Sequence, residues 1–533
     1  MRTLYRIRMR LLNLWQSWYS AFTWPTFALP VDGFRVLVGL LSFVYFCNLI
    51  REVPDISSPD GLIDHALLQN IFWYIRWSLF QPGMAAWHFY VLFVLGLFAA
   101  EMVIVGWHSK WAVAYLYLVV VSTYRWNFLV VYLDDSLMHL ALAWLLLLPI
   151  GRTLTLPDWL KHGRQAWARW KQEVVPGPAV YCFLANLALI YLVAGMWKWT
   201  SPMWLDGSAL YAGLKMPTSL APDFWRPEYL PVLRLFNYAG LVLEPILALV
   251  VVLPKRHPLK WLLVAGALGF HGGIILTLRI PYANSACLFG LVLVVRDEIM
   301  DFLRSPVASL ESRPPTLRLD GPGKLAFTLV ILLTLAMIGD TLPWWVLPAG
   351  LSRQAGPDGV ILAPGQVLGT WRSRHNASNA WGKLAAQGNP FHLPLWFAGL
   401  GQQYRLFDWI DDVAYTGNYE ILEAGEPPII GRAAAQRLFP NTSRGAALQA
   451  YVNDVRWIII PLPWPTVVKQ SLFERLARRY CQTYAPRHPV DVFVAVEKIT
   501  TDNLQLNQGH RERLMTFECK DGEPSMTYMR ILN

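Results

Sequence analysis

Residues 181–207 read YCFLANLALIYLVAGMWKWTSPMWLDG, an apolar run that ends in a lysine flanked by tryptophans. About 20 such residues, at the 1.5 Å rise of a helix, cross the hydrocarbon core of a bilayer. The stretch therefore reads as a membrane-spanning helix with Lys198 at or just inside its end. A terminal lysine ordinarily stretches along its own stem toward water. Here WKW, TSPMW and LDG form an aromatic-rich segment that shields the amine, and a desolvated lysine is suited to act as a base or nucleophile. We expect Lys198 to face a cavity rather than the interface.

The rest of the chain carries the same signature. Its 533 residues are 55% hydrophobic and 15% charged, with mean hydropathy +0.33, against about 25% charged in soluble domains. The 26 tryptophans suit rings that settle at membrane interfaces. Much of the net charge of +10 lies in short loops between apolar runs, which argues for a topology signal and against nucleic acid. Five cysteines are too few for a disulfide scaffold. The basic start MRTLYRIRMR is not followed by the short apolar core and small-residue cleavage site of a signal peptide.

Candidate spans fall at 32–50, 86–106, 111–124, 135–150, 178–198, 232–253, 260–279, 281–296 and 324–344. Basic residues cluster in alternate loops, which puts the N-terminus in the cytoplasm and the chain after Trp344 outside. The expected fold is a polytopic α-helical membrane protein of about nine transmembrane helices with a C-terminal extracytoplasmic β-rich α+β domain. We divide it into a cytoplasmic segment 1–31, a multi-span domain 32–323, a last span 324–344 and an outer domain 345–533. In the outer domain NYEILEA, VRWIIIPL, VDVFVAVEKI and RLMTFECK read as strands, and LFERLARRYC as an amphipathic helix. Cys481 and Cys519 lie there, either as a disulfide or as two buried thiols. The aromatic-rich loops 51–85 and 199–231 are expected to form short surface helices and, with the tail, to roof a cavity.

Charges inside spans are costly and by default mark function. Arg35 and Glu101 fall at the inner-leaflet level and read as a structural ion pair. Asp135 and His139 share one helix face, with Asp134 as a helix cap and Asp135 facing the cavity. No HExxH or CxxC accompanies them, so no metal site is expected. Glu244 precedes Pro245 in mid-span and either bonds the carbonyls that the proline leaves unpaired or joins the site. His271 is followed by Gly272 and Gly273, which leave room for another group to approach, and reads equally as a satisfied buried histidine or as an acid or base.

Taken in order, the arginine-bearing first span, YRWNFLVVYLDDSLMHLALAWLLLLPIG, AGMWKWTSPMWLDGSAL, LEPILALV and GFHGGIILTL resemble the HTTM domain. This is the bacterial membrane family related to vitamin K-dependent gamma-glutamyl carboxylase. The resemblance covers about residues 30–300, and more weakly the outer tail. It implies that Lys198 is a base acting toward a reduced quinone of the vitamin K kind. It places His271 on a histidine of the same pocket and Glu244 on a neighbouring acidic position. Arg125 and Asn127 resemble an RN motif of the bacterial family, while Asp134-Asp135 stand where the carboxylase has Asn-His.

Two functions follow as expectations. One is a quinol-linked enzyme of the bacterial inner membrane that modifies a secreted peptide or protein by carboxylase-like chemistry. Its cavity is lined by Asp135, Lys198, Glu244 and His271, with Trp197, Trp199, Trp204 and Gly272 against the cofactor. The other is a non-catalytic maturation, chaperone or docking factor for an exported client. A transporter is disfavoured, because no inverted repeat is visible.

Overall fold

The computed structural model describes residues 25–71, 76–127, 133–199, 201–216, 218–303, 413–439, 463–500 and 507–529, with positions 328, 331, 332 and 335. Five helical stretches are long and apolar enough to cross a membrane: Ala28–Ser57, Ala86–Val105, Pro178–Met196, Pro227–Val251 and Pro258–Thr277. In chain order the helices of this region are α1 (Ala28–Glu52), α2 (His65–Ile71), α3 (Ala86–Val105), α4 (Ser109–Trp126) and α5 (Leu133–Leu147). They continue as α6 (Leu156–His162), α7 (Arg164–Trp170), α8 (Pro178–Lys198), α9 (Pro202–Asp206) and α10 (Ala209–Lys215). The last are α11 (Leu230–Leu247), α12 (Pro258–Thr277), α13 (Pro281–Val294) and α14 (Arg296–Leu303).

The expected spans at 111–124, 135–150 and 281–296 are helices too, as α4, α5 and α13. They are shorter or less apolar than the five: the apolar stretches of α5 and α13 cover only Leu137–Leu147 and Pro281–Val294. The span expected at 324–344 lies almost wholly outside the described residues, as does most of the linker before it. The helices α1, α3, α4, α5, α8 and α13 pack together around one apolar core that includes Phe34, Phe46, Phe93, Trp126 and Trp144.

The expected Arg35–Glu101 pair does not form. Glu101 is exposed, whereas Arg35 is fully buried and bonds Asp32, one turn back on the same helix, at 2.7 Å. Asp32 stands in the first turn of α1, at the edge of the apolar run. Its carboxylate accepts the backbone N–H groups of Gly151, Arg152 and Thr153 and the Thr153 hydroxyl, at 2.6–2.9 Å. Arg35 in turn donates to the carbonyls of Val103, Ile104, Thr153 and Leu154. The pair thus stitches the start of α1 to the end of α3 and to the turn after α5. At the same end β1 (Thr26–Phe27) pairs antiparallel with β2 (Val174–Val175).

The tail forms one antiparallel sheet in the order β4-β3-β5-β6-β7. Its strands are β3 (Val413–Glu423), β4 (Ile429–Ile430), β5 (Val490–Thr500), β6 (Asn507–Lys520) and β7 (Glu523–Met529). Three of the four expected strands fall within β3, β5 and β6; VRWIIIPL lies outside the described residues. Tyr419, Ile421, Val490, Val492 and Val494 alternate inward as the strand period requires. The amphipathic segment is part of a longer helix, α16 (Pro463–Tyr484), and α15 (Arg432–Leu438) packs on β3. Leu472, Phe473, Leu476 and Tyr480 of α16 are buried in the apolar core, and Cys481 is joined to Cys519 of β6 by a disulfide.

A second face of α16 docks on the 51–85 loop. Ser471, Arg475 and Arg479 recur at helical spacing. Arg475 donates to Pro59 and Gly61 carbonyls at 2.8 and 2.9 Å and reaches Asp64 at 3.4 Å, Ser471 bonds Asp64 at 3.2 Å, and Arg479 pairs with Asp55. Beside Asp64, His65 is buried, stacked on Trp126 at 4.0 Å and bonded through Nε2 to Asn127. Burial, with Arg475 nearby, pushes its imidazole down to about 3. A histidine neutral when folded but charged when unfolded contributes stability above the unfolded value near 6.5, which is lost as pH falls. Thermal unfolding should therefore weaken by up to about 1.4 kcal/mol per pH unit between pH 6.5 and 4.5, and His65→Gln should flatten that slope.

Candidate functional site

On α8, Tyr191, Gly195 and Lys198 are spaced four and three apart and so share one face. That face meets α11 at Glu244-Pro245. A Cβ on Gly195 would lie 2.6 Å from Pro245 Cδ and 3.0 Å from its backbone nitrogen, so only glycine permits this approach. The close contact brings Lys198 Nζ onto a Glu244 carboxylate oxygen, forming a buried ion pair with side-chain exposures of 1% and 2%. The lysine is neither stretched to water nor stripped of partners: it is paired, and its ammonium also lies 5.4 Å from the Trp204 ring centre. Gly195→Ala should pry α8 from α11, lower stability by about 1–3 kcal/mol by overpacking, and loosen the pair. Thermal unfolding in detergent reads the first effect; infrared bands of the Glu244 carboxyl read the second.

A second polar group starts from the same face of α8, at Tyr191. His271 of α12 is buried, with Nδ1 at 2.8 Å from Asn284 Oδ1 and Nε2 at 2.9 Å from the Tyr191 hydroxyl. Asn284 on α13 spends its own amide N–H on the Ile280 carbonyl at 2.7 Å, which turns its oxygen toward the imidazole. The tautomer follows: Nδ1 donates to Asn284, and Nε2 accepts from Tyr191. His271 is thus a satisfied histidine whose Nε2 lone pair is held toward a phenol, beside the Lys198–Glu244 pair.

The 199–231 segment folds into short helices that include α9 and α10, and Trp204 of α9 covers Lys198. Asp206 accepts from Ser208 N and Oγ at 2.8 and 2.6 Å at the turn between α9 and α10. Gly207 there has φ +88°, a left-handed conformation that closes α9. Asn237 of α11 pins the segment by donating to the Trp204 carbonyl at 2.8 Å and accepting from Leu210 N at 3.2 Å. Further on, the backbone around Ser219 pairs with Leu278 at the end of α12.

Of the expected site residues, the structure brings together Lys198, Glu244, His271 and Trp204. Trp199 turns outward, about half exposed, and donates to the Leu241 carbonyl at 2.9 Å. Gly272 follows His271 on α12, and a Cβ there or at Gly273 would meet nothing within 4 Å. Asp135 belongs to α5, but its side chain and that of Trp197 lie outside the described residues. His139 is buried, edge-on to the Tyr124 ring at 5.1 Å. Tyr191, Gly195, Asn237 and Asn284 were missed; Tyr191 stands two helical turns before Lys198 on the same face, which was the available signal. A mostly apolar pocket between α1, α5, α8 and α13 is lined by Phe34, Trp144, Phe183, Ile190 and Cys287 among others, with room for about one water, and none of the cluster's side chains lines it. Lys198 points at Glu244 rather than into it.

Compared with known proteins, the chain matches no family model, no curated protein and no solved structure.

Proposed function

We propose that the Lys198–Glu244 and Tyr191–His271–Asn284 cluster is the acid–base centre of an integral membrane enzyme that modifies a secreted peptide or protein. The observation that carries this reading is the full burial of a lysine–glutamate pair among apolar helices. Such pairs are weak sources of stability, because well-packed apolar residues of the same volume hold a fold as well or better. Ionisable groups kept within a membrane domain by default serve transfer or binding. The pair would hold one exchangeable proton as a unit, with the Tyr191–His271 hydrogen bond as a second proton-holding group.

A reduced quinone of the HTTM-carboxylase kind fits the donor set. Its hydroxyls would need hydrogen-bond partners, for which the Tyr191 hydroxyl oxygen, still able to accept, and the N–H groups of Lys198 would serve; its ring would need apolar walls, and Trp204 would be one. On α12, Gly272 and Gly273 leave open space next to His271 in the chain, and a lipophilic molecule would approach there. When bound, a quinol would supply reducing equivalents and an acidic hydroxyl; Glu244 would take the proton that Lys198 donates to it, leaving the amine to accept one from that hydroxyl, and the 199–231 segment would exclude water. The Cys481–Cys519 disulfide supports an oxidising compartment for the tail, where a secreted substrate would be met.

The alternative, a non-catalytic maturation or docking factor, is favoured by the Ser471, Arg475 and Arg479 contacts that fix α16 on the 51–85 loop. The two readings part in the exported proteome. Cells carrying the wild-type chain should export a peptide with a covalent mass change that disappears with Lys198→Met/Glu244→Leu. A client whose abundance falls while its mass stays constant would instead establish the docking function.

A further inference from the structure

Between α5 and α8 the chain makes a short helical hairpin whose surface is the reverse of a soluble one. The hairpin is held firmly from within. Asp158 accepts from His162 Nδ1 at 2.8 Å and Arg169 Nη1 at 3.1 Å through one oxygen, and from Trp170 Nε1 at 2.6 Å through the other. Part burial works against the charge, yet these three donors hold the carboxyl below its ordinary value. Ala166 and Trp170 are buried against Leu29 of α1 and Met300 of α14. The outward positions nevertheless carry Leu156, Trp159, Leu160 and Trp167, with Leu160 76% exposed.

Two further observations say what covers them. Residues 151–175 contain Arg152, Lys161, Arg164, Arg169 and Lys171 against Asp158 and Glu173, so the face is cationic, and Lys161 and Arg164 are exposed at the hairpin turn. The face is also continuous with the end of the helical bundle. The turn after α3 lies against Thr155, at 2.6 Å from where a Gly106 Cβ would sit, and Trp107 and Trp111 beside it are 54% and 79% exposed. Exposed indoles in line with exposed leucines and lysines are the arrangement of a segment lying in the interface of a bilayer.

We propose that the α6–α7 hairpin is an interfacial foot. It seats Leu156, Trp159, Leu160 and Trp167 at the acyl boundary and binds the phosphates of anionic phospholipids through Lys161 and Arg164. A basic side chain near an anionic surface contributes enough that losing two should lower anionic-lipid preference on the order of tenfold or more. The effect is screened by salt.

The test uses the full chain in nanodiscs of phosphatidylcholine with a minor share of phosphatidylglycerol. Native mass spectrometry should find phosphatidylglycerol retained on the wild type in strong preference. K161Q/R164Q should bring the preference close to parity, and K161R/R164K should keep it, which separates charge from folding. A membrane-impermeant maleimide should label L160C at least about tenfold more slowly than E426C at the exposed β3–β4 turn. Labelling of L160C as fast as E426C would overturn the proposal and leave the face open to a protein partner. Equal phosphatidylglycerol retention by wild type and K161Q/R164Q would overturn it as well.

Discussion

Lys198→Met should destabilise the protein by about 3–5 kcal/mol, because it leaves Glu244 charged, buried and alone. Glu244→Leu should cost a similar amount for the mirror reason. The double variant Lys198→Met/Glu244→Leu should recover most of that loss, since no uncompensated charge remains and both side chains approximate the volumes they replace. Activity should not recover with it. A protein as stable as wild type yet inactive would place the value of the pair in chemistry rather than in folding. The cycle is read by unfolding in detergent, and its interaction energy isolates the pair because the two sites touch. Should the double variant stay as unstable as either single one, the two residues would not form the unit described here.

Asp32→Ala should rival that effect while acting far from the site. It orphans three backbone N–H groups of the 151–153 turn and the Thr153 hydroxyl, and it removes the anion beside Arg35 in a fully buried setting. One lost partner of a buried ion pair costs about 3–5 kcal/mol, and each orphaned amide adds roughly 1–3 kcal/mol where water cannot reach it. Asp32→Asn keeps the shape and accepts fewer bonds, so it should fall between. Glu101→Ala, by contrast, should change stability by less than about 0.5 kcal/mol, as surface positions do. Equal losses at 32 and 101 would restore the pairing that the sequence first suggested.

These two clusters also show what the sequence made legible. Apolar run length was enough to locate the long helices, and the strand alternation of NYEILEA, VDVFVAVEKI and RLMTFECK placed three strands of the tail sheet. Partner choice was harder, because a buried charge declares its cost and not its mate. Arg35 chose Asp32, three residues away, over Glu101 because a same-helix carboxylate and the carbonyls of Val103, Ile104, Thr153 and Leu154 already satisfy it. Lys198 meets Glu244 through Gly195 and Pro245, a steric fit between helices 46 residues apart in sequence. Tyr191 and Asn284 looked like ordinary residues of apolar spans. Only packing reveals that they take both nitrogens of His271.

The most direct measurement is of what the protein carries from its own membrane. Wild-type protein purified from native membranes should bring a stoichiometric lipophilic molecule of quinone type, identified by mass spectrometry after extraction. Lys198→Met/Glu244→Leu, purified in the same way and equally stable, should lose it. Bulk lipid alone in both samples, together with a tightly bound protein partner, would contradict an acid–base centre and assign the chain to the docking class.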